Sequence, residues 1–308
     1  MPHPASAHPA SVSSSPLPDP TLRRARFAAV GDLHCTKASA GTLHGLFAAA
    51  SAAADGLLLC GDLTDYGLTD EAHVLAEELA AATVPIAAVL GNHDFESNLA
   101  DAVRTILEEA GVQVLDGEAC EIAGVGIAGI KGFAGGFGRG ALGAWGESAI
   151  KLFVQEAIQE ALKLESALAK LRTPARLALL HYAPIEATAI GEPREIFPFL
   201  GTSRLEEPLL RYPVAAVVHG HAHRGSLEGR TVNGIPVYNV AKPLLERHFA
   251  DRPPFRLVEV AYDAGTPDSL AAQPGPGGAQ IPASASDQTA PARTASAVAS
   301  GGPKVPAA

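Results

Sequence analysis

Three short apolar runs end alike: residues 26–34 read RFAAVGDLH, residues 56–62 read GLLLCGD, and residues 85–94 read PIAAVLGNHD. Each run closes on a glycine followed by a polar residue, Asp32, Asp62 or Asn92. Between them, residues 39–54 are alanine-rich and helical in composition. Residues 69–82 also suit a helix, with Asp70 and Glu71 in the first turn, where carboxylates complement the helix dipole. Short buried strands alternating with helices predict parallel βαβ units. Asp32, Asp62 and Asn92 are spaced 30 and 30 residues apart, about the length of one such unit. Each therefore lands just past the carboxyl end of a strand, and all three share one edge of one sheet. Open α/β sheets place their ligand sites at that edge.

The pattern continues downstream. Residues 121–130 are β-rich, and 129–146 are rich in glycine. Residues 147–171 form a long amphipathic helix, with Phe153, Ala157, Leu164 and Leu168 on one apolar face, stopped by Thr173-Pro174. Residues 175–180 are a strand running into His181, and 214–218 a strand running into His219-Gly220-His221-Ala222-His223. Later strands at 236–240 and 256–260 suggest a second sheet packed on the first. Residues 1–24 and 264–308 are Pro-, Gly-, Ala- and Ser-rich with little to bury, so both are expected to be disordered around a folded body at 25–263.

Charge and composition narrow the function. The chain of 308 residues carries a net charge of −10, and the charges in 1–23 and in 264–308 cancel within each segment, so the body is acidic. An acidic body without a Lys/Arg stripe repels nucleic-acid backbones and anionic membranes, so neither is an expected partner. No stretch approaches about 20 uninterrupted apolar residues, which argues against a spanning helix. Cys35, Cys60 and Cys120 are odd in number and widely spaced, which excludes a disulfide scaffold and suits a reducing compartment; no secretory leader is evident, so the expected location is cytoplasmic. Nothing in the pattern sets an oligomeric state.

The strand ends thus present Asp32 and His34, Asp62, Asn92 and His93, His181, and His221 and His223. Oxygen and nitrogen donors of this kind suit borderline divalent ions such as Mn, Fe or Zn. They are too many for one four-coordinate site and fit two metals sharing a carboxylate.

Gly31-Asp32-Leu33-His34, Gly61-Asp62, Gly91-Asn92-His93-Asp94, His181 and Gly220-His221-Ala222-His223 resemble, in order, the five motifs of the calcineurin-like metallophosphoesterase family, over about residues 26–240. Gly61-Asp62-Leu63-Thr64-Asp65 also resembles its cyclic-nucleotide phosphodiesterase branch. The resemblance implies a four-layer α/β/β/α sandwich of two mixed β-sheets flanked by helices. It implies Asp32, His34 and His223 on one metal, Asn92, His181 and His221 on the other, and Asp62 bridging. It implies hydrolysis of a small phosphate ester, diester or monoester, by in-line attack of a metal-bridging hydroxide. His93 would face the substrate and assist the leaving group, with Asp94 orienting its imidazole.

Other features have quieter readings. His219 is expected in the core or behind the ligands. Cys60 is core filler, and Cys35 a loop cysteine or a reactive thiol. Residues 131–140 are either a connection or a lid, with Arg139 meeting phosphate and Phe133, Phe137 or Trp145 meeting a ring. A catalytically weak binding or scaffold protein on the same fold, or a nuclease, remain as alternative functions.

Overall fold

The computed structural model describes residues 22–263, all within one compact unit. Eleven strands form two mixed sheets. The first has the order β11-β1-β2-β3-β4, with β1 at Leu22–Val30, β2 at Gly56–Cys60, β3 at Ile86–Val89, β4 at Val112–Val114 and β11 at Arg256–Asp263. The second has the order β5-β6-β7-β8-β10-β9, with β5 at Glu118–Ile122, β6 at Val125–Ile130, β7 at Ala175–Leu180, β8 at Ala216–His219, β9 at Glu228–Arg230 and β10 at Pro236–Asn239. β1 to β4 are mutually parallel, as are β6, β7, β8 and β10, while β11, β5 and β9 are antiparallel edges.

The near-continuous apolar character of β2, β3, β6 and β7 follows from burial on both faces. Between the sheets, Phe27, Leu58 and Val89 meet Ile127, Leu177, Leu179 and Val218. Outside the first sheet lie α1 (His44–Ala53), α2 (Thr69–Leu79) and α3 (Ala100–Glu109), closing on Phe47, Leu75 and Leu107. Outside the second lies α4 (Ser148–Lys170), whose Leu164 and Leu168 pack on Ala128, Ile130 and Leu180. This is the expected α/β/β/α sandwich. Short helices fill the later connections: α5 (Glu186–Ala189), α6 (Phe197–Leu200), α7 (Glu206–Arg211) and α8 (Lys242–His248). Among the described residues no helix is long and apolar enough to cross a membrane.

Three expectations need revision. The strand at 256–260 does not join the second sheet; as β11 it pairs antiparallel with β1, from Ala29↔Arg256 to Leu22↔Asp263. That pairing recruits residues 22–24 into β1, so the folded body starts before residue 25. The rest of the two end segments expected to be disordered lies outside the described residues. On α4, Ala157, Leu164 and Leu168 are buried as expected, but Val154 rather than Phe153 joins them; Phe153 is half-buried with its ring 5.0 Å from that of Phe133.

Candidate metal centre

All five motif loops leave strands at the same edge of the sandwich, and short backbone bonds stitch them together. Asp32 N donates to Gly61 O (2.9 Å), His34 N to Asp62 O (3.0 Å) and Gly220 N to His181 O (3.1 Å). The turns are tight. Asp32, His34, Asp62 and His221 all sit in the left-handed region, with φ of 55°, 46°, 47° and 69°. Non-glycine residues rarely adopt it, and such strain concentrates at functional sites. The loops also approach closely: a Cβ on Gly91 would overlap Asp62 Oδ1, and one on Gly220 would overlap Asp32 Oδ2.

The side chains converge on two adjacent points. Donor atoms of Asp32, His34, Asp62 and His223 cluster within 4.8 Å of one another, and so do those of Asp62, His181 and His221. Asp62 belongs to both groups, and Asn92 joins the second, its Oδ1 lying 3.0 Å from His181 Nε2.

Hydrogen bonding sets the direction of each imidazole. His181 Nδ1 donates to the Cys60 carbonyl (2.9 Å), so its Nε2 carries the lone pair. That lone pair faces two more acceptors, Asn92 Oδ1 and, at 3.3 Å, Asp62 Oδ1. His34 Nδ1 donates to Asp65 Oδ1 (3.0 Å), leaving Nε2 buried without a partner. His221 Nε2 donates to the Phe199 carbonyl (3.0 Å), which frees Nδ1. Asp32 accepts from His221 N (2.9 Å) and bonds His223 Nε2 (2.9 Å).

Electrostatics favour the same state. Burial lowers His34 and His181 and drives His221 down to about 3, so these imidazoles are neutral near pH 7, as metal ligation requires. Burial, aided by the Asp32 charge, pushes Asp62 up to about 7. Burial works upward on Asp32 too, but its His223 bond and the neighbouring histidines prevail and bring it to about 2. The lone pairs of His34 Nε2 and His181 Nε2, turned toward the Asp62 carboxylate, leave a place for cations.

A family model described as calcineurin-like phosphoesterase matches residues 25–225. The chain belongs to that family. It is a metal-dependent hydrolase of phosphoric ester bonds, in a family that works with two metals, and its clustered His and Asp donors match that requirement. No curated protein matches the chain. Among solved structures it is similar to TT1561 of Thermus thermophilus, at 15% identity over 77% of this chain and 99% of that one (TM-score 0.45). It is also similar to GAP50, the anchor in the inner membrane complex of Plasmodium, at 12% identity over 71% and 72% (TM-score 0.46). A third is purple acid phosphatase PPD1 from yellow lupin (Lupinus luteus) seeds, at 12% identity over 71% and 44% (TM-score 0.46).

In this phosphoesterase the residues present fit two divalent ions. The orphaned His34 Nε2, the lone pair of His181 opposing two oxygens, and the buried Asp62 carboxylate, whose pKa burial pushes up, are each costly without a cation.

Around the cluster some expected residues stand elsewhere. The Asp94 carboxylate does not meet the His93 ring. It accepts Gly91 N (2.7 Å), Leu63 N (3.2 Å), Thr64 N (2.8 Å) and Thr64 Oγ1 (2.6 Å), lacing two ligand loops together; burial, with Asp62 nearby, outweighs these bonds and pushes it to about 6. His93 Nδ1 instead donates to the Asp65 carbonyl (2.7 Å), with the Asp65 carboxylate 3.8 Å away. Sequence reasoning missed Asp65, although its place three residues after Asp62 was the available signal. Arg139 is exposed on the turn Gly138–Gly140, and no hydrogen bond or ion pair links it to the cluster. The segment 131–140 is fastened rather than loose: Gly135 N and Gly136 N donate to Pro198 O (2.7 Å) and Gly201 O (2.8 Å). Phe133 packs on Phe153 and Tyr182, and Phe137 on Phe197, so neither is free to meet a substrate ring. His219 is buried behind the ligands, bonded to Thr188 Oγ1 (2.8 Å) and Gly220 O (2.8 Å). Cys35 is buried, and burial pushes its thiol up to about 11, which suits a structural role over a reactive one.

Proposed function

We propose that Asp32, His34 and His223 hold one divalent ion, that Asn92, His181 and His221 hold a second, and that Asp62 is shared. The donor set of carboxylate, amide oxygen and imidazole favours Mn, Fe or Zn. When bound, the two cations supply an activated water and neutralise charge developing on the phosphoryl oxygens. The protein's own contribution is orientation. Cys60 O, Asp65 and Phe199 O each hold one ligand histidine in the tautomer that turns its lone pair inward. His93, anchored through Nδ1, keeps its Nε2 edge open; in the doubly protonated imidazolium that edge hands its proton to the departing ester oxygen and is left with the lone pair.

The single observation that carries this reading is that Asp62 belongs to both donor clusters. The substrate class is a small phosphate ester, and cyclic nucleotides belong in any panel because of Gly61-Asp62-Leu63-Thr64-Asp65. The acidic chain speaks against a nuclease, and the intact ligand set speaks against a mere scaffold. Three free cysteines favour a reducing compartment, the cytoplasm. The test is hydrolysis of bis(4-nitrophenyl) phosphate with added Mn. Asp62→Ala abolishes it, and His93→Ala lowers kcat by about 10²–10⁴. Wild-type protein that binds no metal, or an unimpaired Asp62→Ala, refutes the reading.

A further inference from the structure

Among the described residues, one cation beside the centre, Lys131, makes no ion pair. Ile130, the last residue of β6, pairs with Leu180 of β7, and Lys131 O accepts His181 N (3.0 Å) and Tyr182 N (3.1 Å). Lys131 therefore stands one strand away from His181 at the same level. Side chains alternate along both strands: Ile127, Leu177 and Leu179 face between the sheets, while Ala128, Ile130, Ala178 and Leu180 face α4. Positions 131 and 181 thus share the inner face, and the Lys131 ammonium is near enough to weigh on the His181 imidazole.

Its surroundings are unusual for a lysine. Nζ lies 5.6 Å from the Phe95 ring centre, 4.9 Å from Phe133 and 5.6 Å from Tyr182. Three rings so placed hold an ammonium by cation–π attraction. It makes one hydrogen bond, to the Gly132 carbonyl (2.8 Å), leaving two of three donors unused. The nearby Glu160 is already engaged by Gly132 N (2.7 Å) and Lys163 Nζ (2.7 Å). Lys131 also lines a pocket of about 90 Å³ with Leu90, Phe95, Arg104, Leu115 and Asp116. Two wall charges there are spent, Arg104 on Glu108 (2.8 Å) and Asp116 on Lys163 (2.9 Å). Asp101 also lines it, so the end favourable to an anion is the Lys131 end.

We propose that Lys131 and this pocket form a subsite for an anionic group, carboxylate or second phosphoryl, borne by the substrate beside the scissile phosphate. The proposal rests on the two-metal reading of the centre. The ring cage is tied to the centre by sequence: Phe95 lies two residues after His93, and Tyr182 is next to His181. The preferred substrate is then an ester with two negative charges a few bonds apart, not a simple monoanion with neutral arms.

The test uses a matched pair, bis(4-nitrophenyl) phosphate and 4-carboxyphenyl 4-nitrophenyl phosphate, on the full chain with Mn. Wild type is expected to favour the carboxylate ester by about tenfold in kcat/KM, the value of one charge-assisted hydrogen bond. In Lys131→Gln the ratio falls to near one, and in Lys131→Arg most of it returns. Calorimetry with benzylphosphonate and 4-carboxybenzylphosphonate reads the same ratio without turnover. A wild-type ratio near one, or a ratio that persists in Lys131→Gln, overturns the proposal and leaves Lys131 as a brace between loops. Failure of the two-metal reading looks different: neither ester is cleaved, while the phosphonate pair still reports on Lys131.

Discussion

Asp65→Ala should weaken one metal site and spare the other. The Asp65 carboxylate touches a single proposed ligand, His34, through Nδ1 at 3.0 Å. Without it the His34 proton is free to move to Nε2, which lies 3.9 Å from Asp62 Oδ2. An Nε2–H there donates toward the carboxylate and has no lone pair for a cation. Loss of such an orienting partner typically costs 10–100-fold in metal affinity. Both side chains are partly exposed, at 21% and 27%, and solvent screens the pair, which favours the lower figure, about tenfold or ~1.4 kcal/mol. None of Asn92, His181 and His221 bonds the Asp65 side chain, so the second site should keep its affinity. The His93 anchor uses the backbone carbonyl and survives the substitution. Calorimetric titration of Mn into metal-free protein, with thermal melting to verify the fold, should resolve one unchanged and one weakened site. Asp65→Asn, which keeps an accepting oxygen, should fall between. Equal weakening of both sites, or of neither, refutes the tautomer argument.

Two further outcomes concern stability. Glu78, only 6% exposed, accepts Gly41 N (2.5 Å), Leu43 N (2.7 Å) and His44 N (2.6 Å) at the start of α1. Burial would raise its pKa, but these bonds prevail and hold it below the ordinary range. That stabilisation is full above the unfolded pKa and fades as pH falls through the folded one, so the deficit of Glu78→Gln, about 1–2 kcal/mol at pH 7 in chemical denaturation, should shrink below about pH 4; a constant deficit counts against it. Asp62 has the opposite sign, its folded pKa being raised. In EDTA its favourable contribution is present at acid pH and lost as pH rises from about 4 toward 7. Asp62→Asn should therefore melt higher than wild type at pH 8, with the gap closing toward pH 4, and a lower melting point at pH 8 contradicts that.

Much of the site could be read from the chain because parallel βα units convert sequence spacing into position. Asp32, Asp62 and Asn92, at intervals of 30, had to share an edge. The histidines at 181, 221 and 223 follow strands of the same polarity, so they meet that edge too. What escaped depends on pairing across the fold. The antiparallel β11 carries no mark in its own composition of which sheet it will join. Asp94 follows His93 directly, yet backbone donors from the neighbouring loop draw its carboxylate away, while Asp65 reaches His93 from the loop after β2. Phe133 and Phe137 sit among glycines and look loose until the packing with Phe153, Tyr182 and Phe197 is seen.

The pairing Leu22↔Asp263 has a practical side. β1 runs toward the chemistry and β11 runs back from it, so the two ends of the described body emerge as neighbours at the far rim, one strand spacing or about 5 Å apart. A few residues could splice Asp263 to Leu22, and new termini could be cut into an exposed connection. Fusion partners joined directly to Leu22 or Asp263 would likewise start at the rim opposite the candidate site.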